Sequence, residues 1–342
     1  MFAYLLRRLL WTIPVLAAVV VATFLLMRAA PGSPWDRTQT PSTMLGLTTD
    51  TSQRRALDRH FGLDLPLWRQ FTRYVFGDLQ DGEFVCGLIC GNLGPSSRQR
   101  GRTIEDILFA APEGKPFWQS PFLYTLRLGL LSLAFALLVG IPLGVVAALR
   151  QDTWPDHLIT LGASLGISVP NFVFGLLLIA VLVASGVRFT VAPRSWSDPR
   201  VWIIPVLVLG VGTMAATARL TRASLLEVLR QDYVRTARAK GLAERTVVTG
   251  HMLKNALIPV VTLLAPALAE LVAGSFIVEM MFSFPGMGRL YAESVQWKDY
   301  AMVLAVTLLY AVLVTFVNLG ADLSYGVLDP RIRAQRRPGG RP

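Results

Sequence analysis

Gly162-Ala-Ser-Leu-Gly166 has the G-x-S-x-G spacing of a serine nucleophile, and acyl transfer is the chemistry it would carry. A nucleophile elbow needs a strand, a sharp turn and a helix, whereas this run lies within an apolar, helix-forming stretch. Ser164 therefore reads as a packing position, and an intramembrane hydrolase built on it stays only as the enzyme alternative. His60, His157 and His251 fall in three separate polar segments, so no pair has triad or metal-ligand spacing. Cys86 and Cys90 are the only cysteines. In an oxidising compartment they would close a small loop as a disulfide, the bland reading being two free thiols. Neither has a His or acidic cluster at ligand spacing, so no metal is expected. No G-x-x-x-x-G-K-[ST] sequence is present, so ATP-driven work would need a motor on another polypeptide, and the ATP and Mg would be bound there. Glu270 is a carboxylate inside an apolar run, roughly 17 Å from Pro259 along a straight helix. At mid-bilayer it is costly unless it faces a water-filled path or a partner; the alternative is a hydrogen-bonded or protonated group between helices. Glu279, half a turn round and nearer the outer end, and Asn171, directly after Pro170, are the accompanying path candidates.

The elements that must position these residues follow from composition. Of 342 residues 53% are hydrophobic and 16% charged, which leaves too little polar surface to cover a soluble globule. Apolar stretches at 9–27, 122–149, 158–184, 201–218, 257–280 and 301–321 approach or exceed the roughly 20 residues that cross a bilayer as a helix. They are continuous runs and not alternating strands, so an all-α membrane protein with six transmembrane helices is expected, not a barrel. Arg7, Arg8, Arg150, the basic residues of 219–254 and those of 331–341 fall on one side of six crossings. That side is expected to be the cytoplasm, with both termini in it. The net charge of +11 then matches topology and anionic headgroups and calls for no nucleic acid. The first run has the outline of a secretory signal, but its length reads as a retained anchor.

Between the fourth and fifth runs lies a charged island, Tyr233-Val-Arg-Thr-Ala-Arg-Ala-Lys-Gly-Leu242. Leu226, Leu229, Tyr233 and Ala237 fall at helical spacing on one face, while Glu227, Arg230, Arg235 and Arg238 fall mainly on others, which predicts an amphipathic helix. Gly241 suits the left-handed residue that ends it, with Lys240 in the last turn and a second short helix following from Leu242. Such a helix either lies on anionic lipid or offers a handle to a soluble motor.

The island resembles the EAA loop of ABC-importer permeases, with Arg235, Thr236 and Ala237 in the place of the naming triplet, Gly241 as the loop glycine, and Asn255-Ala-Leu-Ile-Pro259 downstream. The wording Ala239-Lys-Gly-Leu242 and the distance from Gly241 to Pro259 are most similar to the dipeptide and oligopeptide permease family, in its B-type subunit. Gly140-Ile-Pro-Leu-Gly144, Gly166-Ile-Ser-Val-Pro-Asn-Phe172 and the external turn with Phe284, Pro285, Gly286 and Gly288 extend the resemblance, as does Asp322-Leu-Ser-Tyr-Gly in the C-terminal signature. Stretches 80–91 and 111–121 depart from the pattern and look like insertions.

The resemblance implies a type I ABC importer permease fold. Its parts would be an N-terminal transmembrane helix (1–27), an extracytoplasmic subdomain (28–121), a five-helix core (122–322) containing the coupling loop (219–256), and a cytoplasmic tail (323–342). It implies a non-catalytic subunit of an ATP-driven peptide importer in a bacterial or archaeal inner membrane, paired with a homologous second permease. Two cytoplasmic ABC ATPases would dock through 233–247, and an extracytoplasmic substrate-binding protein would deliver peptide near 190–200 and 281–300. The alternatives are nickel, glutathione or a modified sugar carried by the same fold, and a proton-coupled secondary carrier using Glu270 directly.

Overall fold

The computed structural model describes residues 2–29, 55, 58–59, 61–80, 83–99, 101–112, 114–186, 193 and 195–328. In chain order the longer elements are α1 (Phe2–Ala29), α2 (Leu67–Phe76), β1 (Gly77–Gln80), β2 (Glu83–Cys86), α3 (Ile104–Phe109), α4 (Pro121–Leu149), α5 (Trp154–Ser168), α6 (Asn171–Ala184), α7 (Ile203–Leu229), α8 (Asp232–Ala239), α9 (Ile258–Met281), α10 (Met287–Trp297) and α11 (Tyr300–Leu328). Five of them, α1, α4, α7, α9 and α11, carry runs long and apolar enough to cross a bilayer. The chain is an all-α membrane protein.

The stretch 158–184, expected as one straight span, is two helices: α5 and α6 meet at 113°. Val169 (φ −88°, ψ 121°) and Pro170 (φ −56°, ψ 139°) are extended, because a proline ring disfavours helical geometry in the residue before it and supplies no N–H. Taken as one broken span, the pair brings the crossings to six. The fourth span also runs past its expected end at 218. Thr217, Thr221 and Ser224 are buried there, so α7 stays helical to Leu229.

The chain divides into two compact units, 1–124 with 285–312 and 125–284 with 313–342. In the first, α10 and the head of α11 join α1 and the segment that carries α2, β1, β2 and α3, a grouping that sequence-based boundaries do not reveal. Asp299 accepts a hydrogen bond from Ser96 Oγ at 2.6 Å, and Arg98 lies 3.7 Å above the Trp297 ring. The stretch 80–91 forms part of a β1–β2 hairpin, registered Gly77 opposite Cys86, and a 3₁₀ turn at Leu88–Cys90. Cys86 and Cys90 are joined there as a disulfide, with Cα atoms 5.9 Å apart.

In the second unit, small residues let backbones touch. A Cβ on Gly140 would stand 2.6 Å from the Met214 carbonyl oxygen, and one on Gly144 would stand 2.5 Å from that of Ala218, so α4 and α7 meet at near-backbone distance. Gly162 plays no such part among the described residues, none of which lies within 4 Å of its would-be Cβ. Ser164 is exposed and donates to the Thr160 carbonyl at 2.9 Å within α5, with no strand or elbow around it.

Candidate functional site

Two features of the second unit gather the sequence-predicted residues. The first is a platform built on α8. Leu229 ends α7, a turn follows, and α8 starts afresh at Asp232, so the apolar face shifts relative to a continuous helix. Val234 and Ala237 point inward; of the four residues expected to share one face, Leu226, Leu229 and Ala237 pack there and Tyr233 does not. Val234 and Ala237 pack with Ala148, Leu225, Val247, Val248, Met252 and Ala256 in one buried cluster. Tyr233 is exposed, its hydroxyl accepting from Asn255 Nδ2 at 2.9 Å. Arg235, Thr236, Arg238, Ala239, Lys240, Gly241 and Leu242 are exposed as well.

Gly241 has φ +76°, the left-handed geometry expected of it, and its N–H donates to the Arg238 carbonyl at 2.9 Å. Arg238 is not a lone exposed charge. Its Nη2 and Nε reach the two carboxylate oxygens of Glu244 at 2.6 and 3.1 Å, bridging the turn. Those hydrogen bonds hold the Glu244 carboxyl below its usual range and raise the Arg238 guanidinium. Arg235 is the more open cation, 3.7 Å from an exposed Asp232. Pro259 stands apart from the platform, exposed in the first turn of α9, where a missing N–H costs nothing.

Beneath the platform lies a pair that sequence reasoning missed. Arg222 of α7 grips Asp156 of α5 through Nε–Oδ1 at 2.6 Å and Nη2–Oδ2 at 2.7 Å. Asp156 is buried and also accepts from Asp152 N–H at 3.0 Å. No local signal links residues 66 positions apart, and only their opposite charges hint at it.

The second feature is a cavity of about 500 Å³ lined by the α5–α6 break, α7 and α9. Glu270 and Asn171 both line it. Asn171 donates from Nδ2 to the Leu209 carbonyl at 3.2 Å, which ties the break to α7. Glu270 is exposed and has no hydrogen bond or ion pair among the described residues. Glu279 is different: it is fully buried and accepts from Thr125 Oγ1 and Ser275 Oγ, each at 2.8 Å. The expectation that Glu279 joins the path is thereby corrected, because half a turn of α9 carries it to a packed interface with α4.

The turn expected to be external, at 284–288, is likewise packed. In the second unit Phe284 is fully buried between Trp196 and Trp202, with ring centroids 4.5 and 4.9 Å away. In the first unit Gly286 and Gly288 are buried and Pro285 is half-buried. These residues anchor the turn and leave little of it for display. Of the other expected delivery loop, residues 187–192 and 194 lie outside the described residues, as does His60.

Residues 140–334, which contain both features, match the family described as binding-protein-dependent transport system inner membrane component. The chain is 34% identical over 337 residues to the dipeptide transport system permease protein DppB of Bacillus subtilis (strain 168), covering 98% of this chain and 100% of that one. It is 34% identical over 344 residues to the oligopeptide transport system permease protein AppB of the same organism, covering 97% and 99%. It is 37% identical over 334 residues to the glutathione transport system permease protein GsiC of Escherichia coli (strain K12), again covering 97% and 99%.

Proposed function

Because the chain belongs to the binding-protein-dependent transport system inner membrane components, we propose that it forms half of the translocation pathway of an ATP-driven importer of short peptides. The observation that carries this reading is the α8 platform, an exposed, basic surface fastened from below by Val234 and Ala237. The names of the dipeptide and oligopeptide relatives support the cargo class. Glutathione is itself a small peptide, so the 37% relative falls in the same class.

The chain contributes a path and a handle, and no catalysis. Two ATPase subunits bind ATP and Mg and seat α8 in their grooves, on the cytoplasmic side with both termini. A homologous permease completes the path, and a substrate-binding protein delivers peptide from the other side. The cluster beneath α8 includes Leu225 of α7 and Ala148 of α4, so a push on α8 reaches two spanning helices directly. α7 and α9 also line the cavity that holds Glu270, which gives the push a route to the path. Alternating access follows if ATP and cargo favour different orientations of that cavity.

The test is reconstitution of the chain with its co-purifying subunits in liposomes. Labelled dipeptide uptake should require internal ATP and the binding protein, and no proton gradient. Uptake driven by a proton gradient without ATP would overturn the proposal in favour of a secondary carrier using Glu270.

A further inference from the structure

A second cavity, of about 220 Å³, lies wholly within the first unit and plays no part in the transport reading. Its wall combines Phe24 and Arg28 at the end of α1, Gln70, Arg73 and Tyr74 of α2, and Tyr300 at the head of α11. Two half-buried guanidiniums line it, and neither has a carboxylate partner among the described residues. Arg28 rests on the rings of Phe24 at 5.5 Å and Tyr300 at 4.8 Å, contacts that offset only part of a guanidinium's desolvation. Arg73 lies against Gly62, where a Cβ would stand 2.6 Å from its Nη1. The wall's carboxylate, Asp299, is already engaged by Ser96 Oγ at 2.6 Å and by the Ser97 N–H.

Two further polar groups on this wall are unsatisfied among the described residues. Gln70 is 8% exposed; its Nε2 donates to the Leu63 and Leu65 carbonyls at 3.1 and 2.6 Å, while Oε1 has no partner. The Tyr74 hydroxyl is buried without a partner, and burial pushes its pKa above the usual value, so it remains a donor. Native interiors rarely leave such groups unmet, because a buried donor or acceptor without a partner forfeits its hydration. Two guanidiniums and a hydroxyl present many donors, and a phosphodiester presents a matching set of acceptor oxygens. The depth also fits: the wall uses the last turn of one spanning helix and the first turn of another, which is headgroup level.

We propose that this cavity is a phospholipid headgroup site, in which Arg28 and Arg73 hold the phosphate of an anionic lipid such as phosphatidylglycerol and Gln70 and Tyr74 meet its glycerol hydroxyls. Basic pockets between spanning helices recognise lipid phosphate by the same chemistry. The site depends on the chain being membrane-spanning and not on the identity of the cargo.

The experiment is native mass spectrometry of the full chain in detergent, titrated with phosphatidylglycerol, with diacylglycerol of the same acyl chains, with inorganic phosphate and with a free dipeptide. Phosphatidylglycerol should be retained at one copy, diacylglycerol should not, and neither phosphate nor dipeptide should displace the lipid. An Arg28→Gln, Arg73→Gln variant should lose affinity tenfold or more, and Arg28→Lys, Arg73→Lys should recover part of it because the charges remain. Equal retention of diacylglycerol would overturn the proposal. So would displacement by phosphate or dipeptide at their own saturating levels, which would make this a soluble-anion site. Wild-type retention by the glutamine variant would overturn it as well. Should that variant fail to fold, the lysine variant and the wild-type lipid series decide the matter by themselves.

Discussion

Replacing Gly241 separates backbone conformation from contact. Its φ is +76°, and a Cβ built there meets nothing within 4 Å among the described residues, so a side chain meets no clash with them. The penalty is therefore left-handed backbone strain, about 1 kcal/mol for Ala and 1–2 kcal/mol or more for β-branched Val, with Asn cheaper because it tolerates this region. A penalty of about 1 kcal/mol lowers the population of the correct turn roughly fivefold. That turn holds the Gly241 N–H on the Arg238 carbonyl and the Arg238–Glu244 bridge across it, so Lys240 and Leu242 move when it opens. The assay is the amount of ATPase subunit retained on purification, together with peptide imported per ATP hydrolysed. Function should fall in the order Gly, Asn, Ala, Val, while membrane insertion stays constant. Wild-type behaviour of Gly241→Val would refute the reasoning. Equal damage from Asn and Val would also refute it, since the docking face would then require the absence of a side chain and not a left-handed turn.

Glu270→Gln should change uptake with complex yield preserved, whereas Glu279→Ala should lower yield, because it removes the carboxylate that accepts from Thr125 Oγ1 and Ser275 Oγ and leaves a gap in a buried interface; the reverse pattern in uptake and yield measurements would overturn the assignment. Asp156→Ala should destabilise the α5–α7 contact by about 3 kcal/mol, since the bidentate Arg222 loses its partner, and a melting curve of the purified complex checks this. Impermeant thiol reagents should label neither Cys86 nor Cys90 in intact cells until a reductant is added; labelling without reductant would rule out the bond. Binding of the ATPases at low salt should weaken on acidification. Glu244 sits below its ordinary value of about 4.3, so its pairing with Arg238 is complete above that pH and lost as pH falls through the lower, folded value.

Much of this protein follows from local rules. Continuous apolar runs long enough to cross a bilayer had to become helices, because every backbone group in hydrocarbon must be satisfied within its own segment. Gly241 could end α8, since a left-handed φ is a property of one residue, but the break at Pro170 was not legible, because Pro14, Pro142 and Pro266 sit inside helices that continue. A resemblance at Tyr233 to Leu242 located the platform, and Gly140 with Gly144 marked the close approach of α4 to α7.

Tertiary structure decided what depends on a neighbour. Glu270 and Glu279 lie in one apolar run and are the same residue type, yet one opens to a cavity and the other is buried, because Thr125 of α4 and Ser275 meet only the second. Helical spacing put Tyr233 on one face with Leu226, Leu229 and Ala237; a break at Arg230 rotated the face and chose Val234, a change of phase that no period reveals. Asp156 and Arg222 became a buried clamp only because α5 and α7 pack side by side, and the unsatisfied groups of Gln70 and Tyr74 exist only because α2 folds beside α1 and α11. Periodicity and φ preferences reach a few residues along the chain, whereas burial and pairing are set by whatever the fold brings up from a distance.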